Sequence, residues 1–268
     1  MKKSVIAILT DFGEGSVYVA QMKGVILSIN REASVVEITN SVEPHNVRQA
    51  SFLLSKTAEY FPSDTIFVAV VDPDVGGARK NILVKVDGKV FVGPDNGIFT
   101  EVVCGKNYEC WEIENEKYIG KDISKTFHGR DVYSYIAAYI SKGVKLSEFG
   151  KKISSITLFE LEEVNVGDSF IKANVLFVDN FGNIVLNAKD EHLKKIGIKL
   201  GDYVIISTSD EKVHPAKYVS TYSEVDVGQL ALLVNSFGTL EISINQDNAS
   251  EKLGIKTNEE VTISQILV

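Results

Sequence analysis

Acidic side chains recur in this chain where runs of apolar residues stop. Residues 66–71 are six apolar residues that run into Asp72-Pro73-Asp74, then Gly76, Gly77 and Arg79. Such a run, ended by turn chemistry, reads as a strand buried on both faces of a sheet. Open α/β sheets bind ligands in the crevice beyond the carboxyl ends of these strands. Asp72, Asp74 and Arg79 therefore stand where chemistry is expected, although one such motif alone is also an ordinary solvated turn. The pattern repeats. Residues 5–9 end in Thr10-Asp11-Phe12-Gly13, and 89–92 end in Gly93-Pro94-Asp95-Asn96-Gly97. Thr126-Phe127-His128-Gly129-Arg130-Asp131 adds one of the four histidines, at the mouth of a helical pattern. Carboxylates and imidazole take protons from nucleophiles, and they also ligate metals. On residue chemistry alone the set suggests a metal-dependent hydrolase, but no spacing such as HExxH supports it. Asp11 reads equally as a turn or helix-capping carboxylate.

The elements that must position these groups follow from periodicity. Val19, Met22, Ile26 and Ile29 share a helical face after the first strand, and 35–38 reads as a second strand. Val47, Ala50, Leu54, Thr57 and Phe61 mark a second helix, with Asn46 as its cap. Residues 82–86 and 89–92 flank Asp87-Gly88, a hairpin signal. Val132, Tyr135, Ile136, Tyr139 and Ile140 predict a helix that stops near Gly143. Beyond about residue 160 short strands dominate, at 171–178, 184–186, 203–207, 229–234, 240–244 and 261–263, with one helix at 190–196. The expected architecture is an α/β domain over 1–160, with a central mixed, mainly parallel sheet flanked by helices. An all-β domain over 161–268, a small barrel or sandwich, follows it, and 151–166 crosses between them. Asp179-Asn-Phe-Gly-Asn183 is the pointed motif of this second domain: a tight turn whose carboxylate and amide could clamp a polyol.

The 268 residues suffice for two domains with real cores. With 44% hydrophobic and 24% charged residues the composition is that of a folded, soluble chain. A net charge of -8 argues against nucleic acid or an anionic membrane as partner. Cys104 and Cys110 form no CxxC pair and fit free thiols in the cytoplasm. The opening Met-Lys-Lys and 4–9 imitate a signal peptide but lack its apolar length and cleavage site; a first buried strand explains them better.

Seven motifs, in order, carry a resemblance. They are Thr10-Asp11-Phe12-Gly13; Tyr18-Val19 with Met22-Lys23-Gly24; Val70-Val71-Asp72-Pro73 with Gly76 and Arg79; and Pro94-Asp95-Asn96-Gly97. Thr126-Phe127-His128-Gly129-Arg130-Asp131, Phe181-Gly182-Asn183 and Ser236-Phe237-Gly238-Thr239-Leu240-Glu241 complete the set. Together they resemble the S-adenosyl-L-methionine (SAM) hydroxide adenosyltransferases, relatives of fluorinase and chlorinase. The resemblance implies SAM hydrolysis to adenosine and L-methionine by attack of water on the ribose 5′ carbon. It further implies an N-terminal α/β domain, a C-terminal β-barrel, and a homotrimer with active sites shared between subunits. No metal or organic cofactor is implied, SAM being substrate.

By the same resemblance, Asp72, Arg79 and His128 hold and activate the water, with His128 or Asp72 accepting its proton. Asp11 takes the ribose diol, and Asp179 and Asn183 the ribose or the methionine end. Phe181, Ser236 and Phe237 hold adenine and methionine, partly through backbone groups. Thr126, Phe127 and Glu241 join the substrate-binding set. The halogenases have Tyr at position 72 and lack His128; a carboxylate about 4 Å from a halide would cost roughly 4 kcal/mol at an effective dielectric near 20. Two positions depart from the family pattern: Asp74 replaces Gly, and Ser16 replaces an Asp that helps hold the methionine ammonium. A SAM- or adenosine-binding protein with vestigial turnover is the non-enzymatic alternative.

Overall fold

The computed structural model describes residues 4–208 and 212–266; the Met-Lys-Lys opening of the leader-like segment lies outside the described residues. The chain divides into two compact units, Met1–Phe159 and Glu160–Val268.

The first unit contains β1 (Val5–Thr10), α1 (Val17–Ile29), β2 (Ser34–Thr39), α2 (Val47–Ala58), β3 (Ile66–Val70), β4 (Asn81–Val86) and β5 (Lys89–Pro94). α3 (Thr100–Val103), β6 (Glu109–Glu112), α4 (Ser134–Ser141) and β7 (Lys152–Ile153) follow. The strands form one mixed sheet in the order β2-β1-β3-β5-β4-β6-β7. The first four are parallel, and β4, β6 and β7 add antiparallel. All of β3 is buried, because both faces of the sheet are covered. Ile66, Val68 and Val70 pack with Ile8, Met22 and Ile136 on one face. Phe67 and Ala69 pack with Leu9, Ala50 and Leu54 on the other. Successive strand residues alternate between faces, so a strand feeding two cores must be apolar throughout.

Register then sets the site. Thr10 pairs with Val70 across β1 and β3, so Asp11 and Val71-Asp72 leave the sheet at the same level. Asn81, the first residue of β4, lies opposite Pro94, the last of β5. The 71–80 loop therefore leaves the carboxyl end of β3, passes the end of β5, and enters β4 at the same edge of the sheet.

Helix ends agree with local chemistry. Asn46 caps α2 by accepting the Gln49 N–H at 2.9 Å, and Ser16 caps α1 by accepting that of Tyr18 at 3.2 Å. α2 ends at Ala58, so Phe61 packs from beyond the helix. The helix expected from residue 132 instead begins with one π-helical turn, Gly129–Tyr133, before α4.

The second unit contains β8 (Asn165–Val166), β9 (Phe170–Val178), β10 (Ile184–Leu186), α5 (Asp190–Lys195), β11 (Tyr203–Ser207) and β12 (Val213–Tyr218). β13 (Leu230–Val234), β14 (Leu240–Ile244), α6 (Ala249–Leu253) and β15 (Glu260–Gln265) complete it. The order β10-β14-β13-β12-β11-β15-β9 closes through a β9–β10 pairing, and β8 adds beside β9. Of barrel and sandwich, the structure is a closed seven-strand barrel. Strict alternation along β9 sends Ile171, Ala173 and Val175 into its core. β12 escapes periodicity because His214, Pro215 and Lys217 interrupt it; only Ala216 and Tyr218 are buried. Of the expected crossing, β7 pairs with β6 in the first unit and β8 with β9 in the second. Among the described residues no helix is long and apolar enough to cross a membrane.

One glycine locks two loops together. Gly76 has φ +77°, and a Cβ there would lie 2.1 Å from the Lys125 carbonyl oxygen. Gly105 has φ +68° with nothing within 4 Å of its would-be Cβ. Gly105→Ala should therefore destabilise by about 1–2 kcal/mol, from backbone conformation alone, and Gly76→Ala by distinctly more. Equal losses in denaturant melts of the two variants would contradict the close approach of the 71–80 and 124–128 loops.

Candidate active site

A pocket of about 240 Å³ opens at this edge of the sheet, with Asp11, His45, Asp72, Thr126, Phe127 and His128 in its lining. Behind Asp72 stands Arg79, and both side chains are nearly sealed from water, at 3% and 8% exposure. Arg79 Nε donates to both Asp72 oxygens at 3.0 Å, and Nη2 donates to Oδ2. Arg79 also reaches two further groups: Nη1 donates to Asn81 Oδ1 at 2.7 Å, and Nη2 lies 2.9 Å from His128 Nδ1. Asn81 Oδ1 accepts a second bond from Tyr133 Oη at 2.7 Å and lies 3.3 Å from His128 Nδ1.

The π turn explains how His128 and Tyr133 reach the same partner. Residues five apart point about 140° from each other around an α-helix. A π turn, closed by the Ser134 N–H on the Gly129 carbonyl, is wider and brings positions five apart toward one face. The His128 and Tyr133 ring centroids stand 6.5 Å apart. The turn is anchored by Asp131, which accepts from Arg130 Nε at 2.6 Å, Arg130 Nη2 at 2.9 Å and the Ser124 N–H at 2.9 Å.

Electrostatics follow from this packing. Burial works against the Arg79 charge, but its hydrogen bonds to Asp72 and the nearby carboxylates hold its pKa above the ordinary value. Burial lowers the His128 pKa below its usual 6.5, and the Arg79 charge lowers it further against the pull of Asp72 and Asp131. His128 is thus neutral at physiological pH. Burial raises the Tyr133 hydroxyl well above its usual range, so it stays a donor. Burial also opposes ionisation of Asp131, yet Arg130 and the Ser124 N–H outweigh it and keep that carboxyl below its usual range.

Asp11 accepts the His45 N–H at 2.9 Å; it does not cap α1, which Ser16 does. His45 has φ +68°, a conformation uncommon outside glycine. Phe12, Tyr18 and Phe127 form an edge-to-face cluster with centroids 5.2–5.8 Å apart, and Phe12 and Phe127 face the pocket.

In the second unit, Asp179, Phe181 and Asn183 share the β9–β10 turn. Asp179 Oδ1 accepts the N–H groups of Phe181 and Asn183 at 2.8 and 2.9 Å, and Oδ2 accepts Asn183 Nδ2 at 2.9 Å. The turn leaves Phe181 78% exposed. Ser236 and Phe237 lie on the β13–β14 turn, shaped by Asn235 Oδ1, which accepts the Phe237 N–H at 3.0 Å. Glu241 is buried in β14 and accepts from Tyr222 Oη at 2.8 Å and Ser243 Oγ at 2.7 Å; burial and this carboxylate push the Tyr222 hydroxyl up.

Two candidate acids stand elsewhere. Asp95 is spent on the Thr157 N–H, at 2.6 Å, and its neighbour Asn96 ties the end of β5 to the Val71 carbonyl at 2.8 Å. Asp74 is exposed and absent from the pocket lining, and its charge adds a smaller contribution that favours the Arg79 charge. No sequence motif marks Asn81, Tyr133 or His45; only strand register, the π turn and an unusual φ bring them in. Among the described residues no three His, Cys, Asp or Glu side chains converge as a metal site.

Comparison with known proteins identifies the family. The chain matches the SAM hydroxide adenosyltransferase N-terminal domain over residues 6–150 and the C-terminal domain over 173–262. An (R)-S-adenosyl-L-methionine hydrolase of Methanocaldococcus jannaschii is 34% identical, across 97% of this chain and 95% of the relative. A fluorinase of Actinopolyspora mzabensis is 23% identical, across 98% of both. The crystal structure of an uncharacterized conserved protein from Thermotoga maritima superposes with a TM-score of 0.91 at 36% identity, across 97% of this chain and 100% of that one. Both domains of this chain, in order and at nearly full length, belong to the SAM hydroxide adenosyltransferase family.

Proposed function

We propose that this protein hydrolyses SAM to adenosine and L-methionine, a water-derived oxygen displacing methionine from the ribose 5′ carbon. The observation that carries the reading is the buried Asp72–Arg79 pair, with His128 against it, facing the pocket that also holds Asp11. Methionine leaves as a neutral thioether, so the reaction requires no general acid. What it requires is a water that is oriented and relieved of a proton. Asp72 and His128 face the pocket and serve that purpose, and Arg79, bonded to both Asp72 oxygens, holds that carboxylate in place. The sulfonium charge disappears as the new bond forms, and fixed dipoles in a dry site favour that change. The rings of Phe12 and Phe127 suit a sulfonium before it reacts.

In this reading Asp11 holds the ribose diol and Thr126 and Phe127 border the substrate. Asp179, Phe181, Asn183, Ser236, Phe237 and Glu241 form the second domain's contribution. The oxygens of Asp179 and Glu241 already bond within their own unit, Asp179 across the β9–β10 turn and Glu241 to Tyr222 and Ser243. The reading includes a cytoplasmic homotrimer with shared sites and no cofactor. Ser16 departs from the family's Asp without loss to the fold, since both residues cap helices.

Purified, chelator-treated protein incubated with SAM should release adenosine and methionine whether or not chloride is present. Asp72→Ala and His128→Ala should each slow release by about 10²–10⁴-fold. Unconsumed SAM with measurable binding would instead indicate a binding protein, and a chloride-dependent 5′-chloro product a halogenase.

The pH dependence follows from the His128 shift. A lowered pKa means the neutral imidazole persists below pH 6.5, so kcat/KM should stay level from pH 8 to 6.5 and fall only below. In that lower window the unfolded chain binds more protons than the folded one, so stability should decline with it. A fall in kcat/KM that begins above pH 6.5 and vanishes in His128→Ala would contradict a neutral His128.

A further inference from the structure

The hydrolytic reading leaves open which group accepts the proton of the water, and the hydrogen bonds behind the pocket answer it. We infer that Asn81 is a positioning residue that fixes His128 as its Nε2–H tautomer. His128 then offers the water a donor, and Asp72 becomes the proton acceptor. This inference rests on the hydrolytic reading for its chemistry and on geometry for the tautomer.

A guanidinium has five donors and no acceptor. The 2.9 Å contact between Arg79 Nη2 and His128 Nδ1 is therefore a bond only if Nδ1 carries a lone pair. The competing partner of Nδ1 is Asn81 Oδ1, at 3.3 Å, and that contact is a bond only if Nδ1 carries a proton. Both cannot hold at once. Asn81 decides between them, because its carbonyl oxygen has two lone pairs. Both are taken, by Arg79 Nη1 and Tyr133 Oη, each at 2.7 Å. Arg79 can only donate, so the oxygen of the amide, not its nitrogen, must face it. Tyr133 is fully buried, so its hydroxyl donates to Asn81 rather than to water. With no acceptor left for an Nδ1 proton, the imidazole carries its proton on Nε2.

The consequence is a division of labour. Nδ1 is occupied by Arg79 and Nε2 is already protonated, so His128 has no free site for a proton. Asp72 Oδ2 receives two Arg79 donors, whereas Oδ1 receives only the Nε bond and keeps lone pairs for water. In the step, a water lone pair forms the bond to the 5′ carbon. The carbon–sulfur pair departs with methionine, and the water proton passes to Asp72.

The test is the nitrogen spectrum of His128 in ¹⁵N-histidine-labelled protein, assigned by its loss in His128→Gln, beside kcat/KM profiles against pH. Asn81→Asp keeps the acceptor for Arg79 and Tyr133 but adds lone pairs and charge that can hold an Nδ1 proton. Tyr133→Phe frees one lone pair on the natural Asn81. In the wild type the proton should sit on Nε2. In Asn81→Asp it should move to Nδ1 or to both nitrogens, with the fall in kcat/KM shifted to higher pH and kcat down by about 100-fold at little change in KM. Tyr133→Phe should show the same direction in smaller measure. A wild-type proton on Nδ1, or spectra and profiles unchanged in both variants, would overturn the inference. The spectra need no turnover: an Nε2 proton in a protein that leaves SAM intact would sink the hydrolytic reading and the role of Asp72 while confirming the tautomer.

Discussion

A guanidinium removed from water next to one carboxylate is the constraint on which this site depends. Arg79 cannot shed its charge, and at 8% exposure it has little water to solvate it. Asp72 lies against it as the compensating partner; removing one partner of such a buried pair typically destabilises by about 3–5 kcal/mol. The remaining donors of the fork then dictate their neighbours. One demands the Asn81 carbonyl and another a lone pair on His128. A single cation that cannot be deprotonated thus orients a carboxylate and sets the tautomer of an imidazole. The pair is the fixed point, and the other groups are arranged by what it will accept.

The sheet supplies the address. Parallel β1 and β3 end level with one another, which brings Asp11 and Asp72 to one edge. Antiparallel β4 begins at that edge because it pairs with the end of β5, which adds Asn81. Gly76 lets the loop from β3 touch the Lys125 carbonyl, and the π turn that follows presents His128 and Tyr133 together. Each device is small. Without any one of them the fork of Arg79 would face fewer partners, and its neighbours would be free to choose other protonation states.

Much of this was legible in the chain, for identifiable reasons. The unbroken apolar run before Asp72 announces a strand feeding two cores, and polar interruption of such a run would have been conspicuous. Asp72, Arg79 and His128 sit in motifs whose turn chemistry stands out, and the family resemblance gave them a shared purpose. Asp95 carried the same turn signals as Asp72 yet serves the Thr157 backbone, because turn composition does not say which way a side chain is used. Asn81 left no trace: one amide after a lysine acquires its role only through register with a strand that follows it. Tyr133 was hidden likewise, since no local propensity reveals a π turn. β12 was hidden by Pro215 and Lys217, and became a strand because its neighbours close the barrel. Local chemistry was readable; partnerships created by tertiary pairing were not.

The central claim is that a water oxygen, activated at the Asp72–Arg79–His128 constellation, attacks the ribose 5′ carbon. Turnover in ¹⁸O-enriched water, with mass analysis of both products, examines that bond directly. The account predicts one heavy oxygen in the 5′-hydroxyl of adenosine and none in methionine. Methylthioadenosine with labelled homoserine, or adenosine free of label, would place the attack at another atom and contradict it.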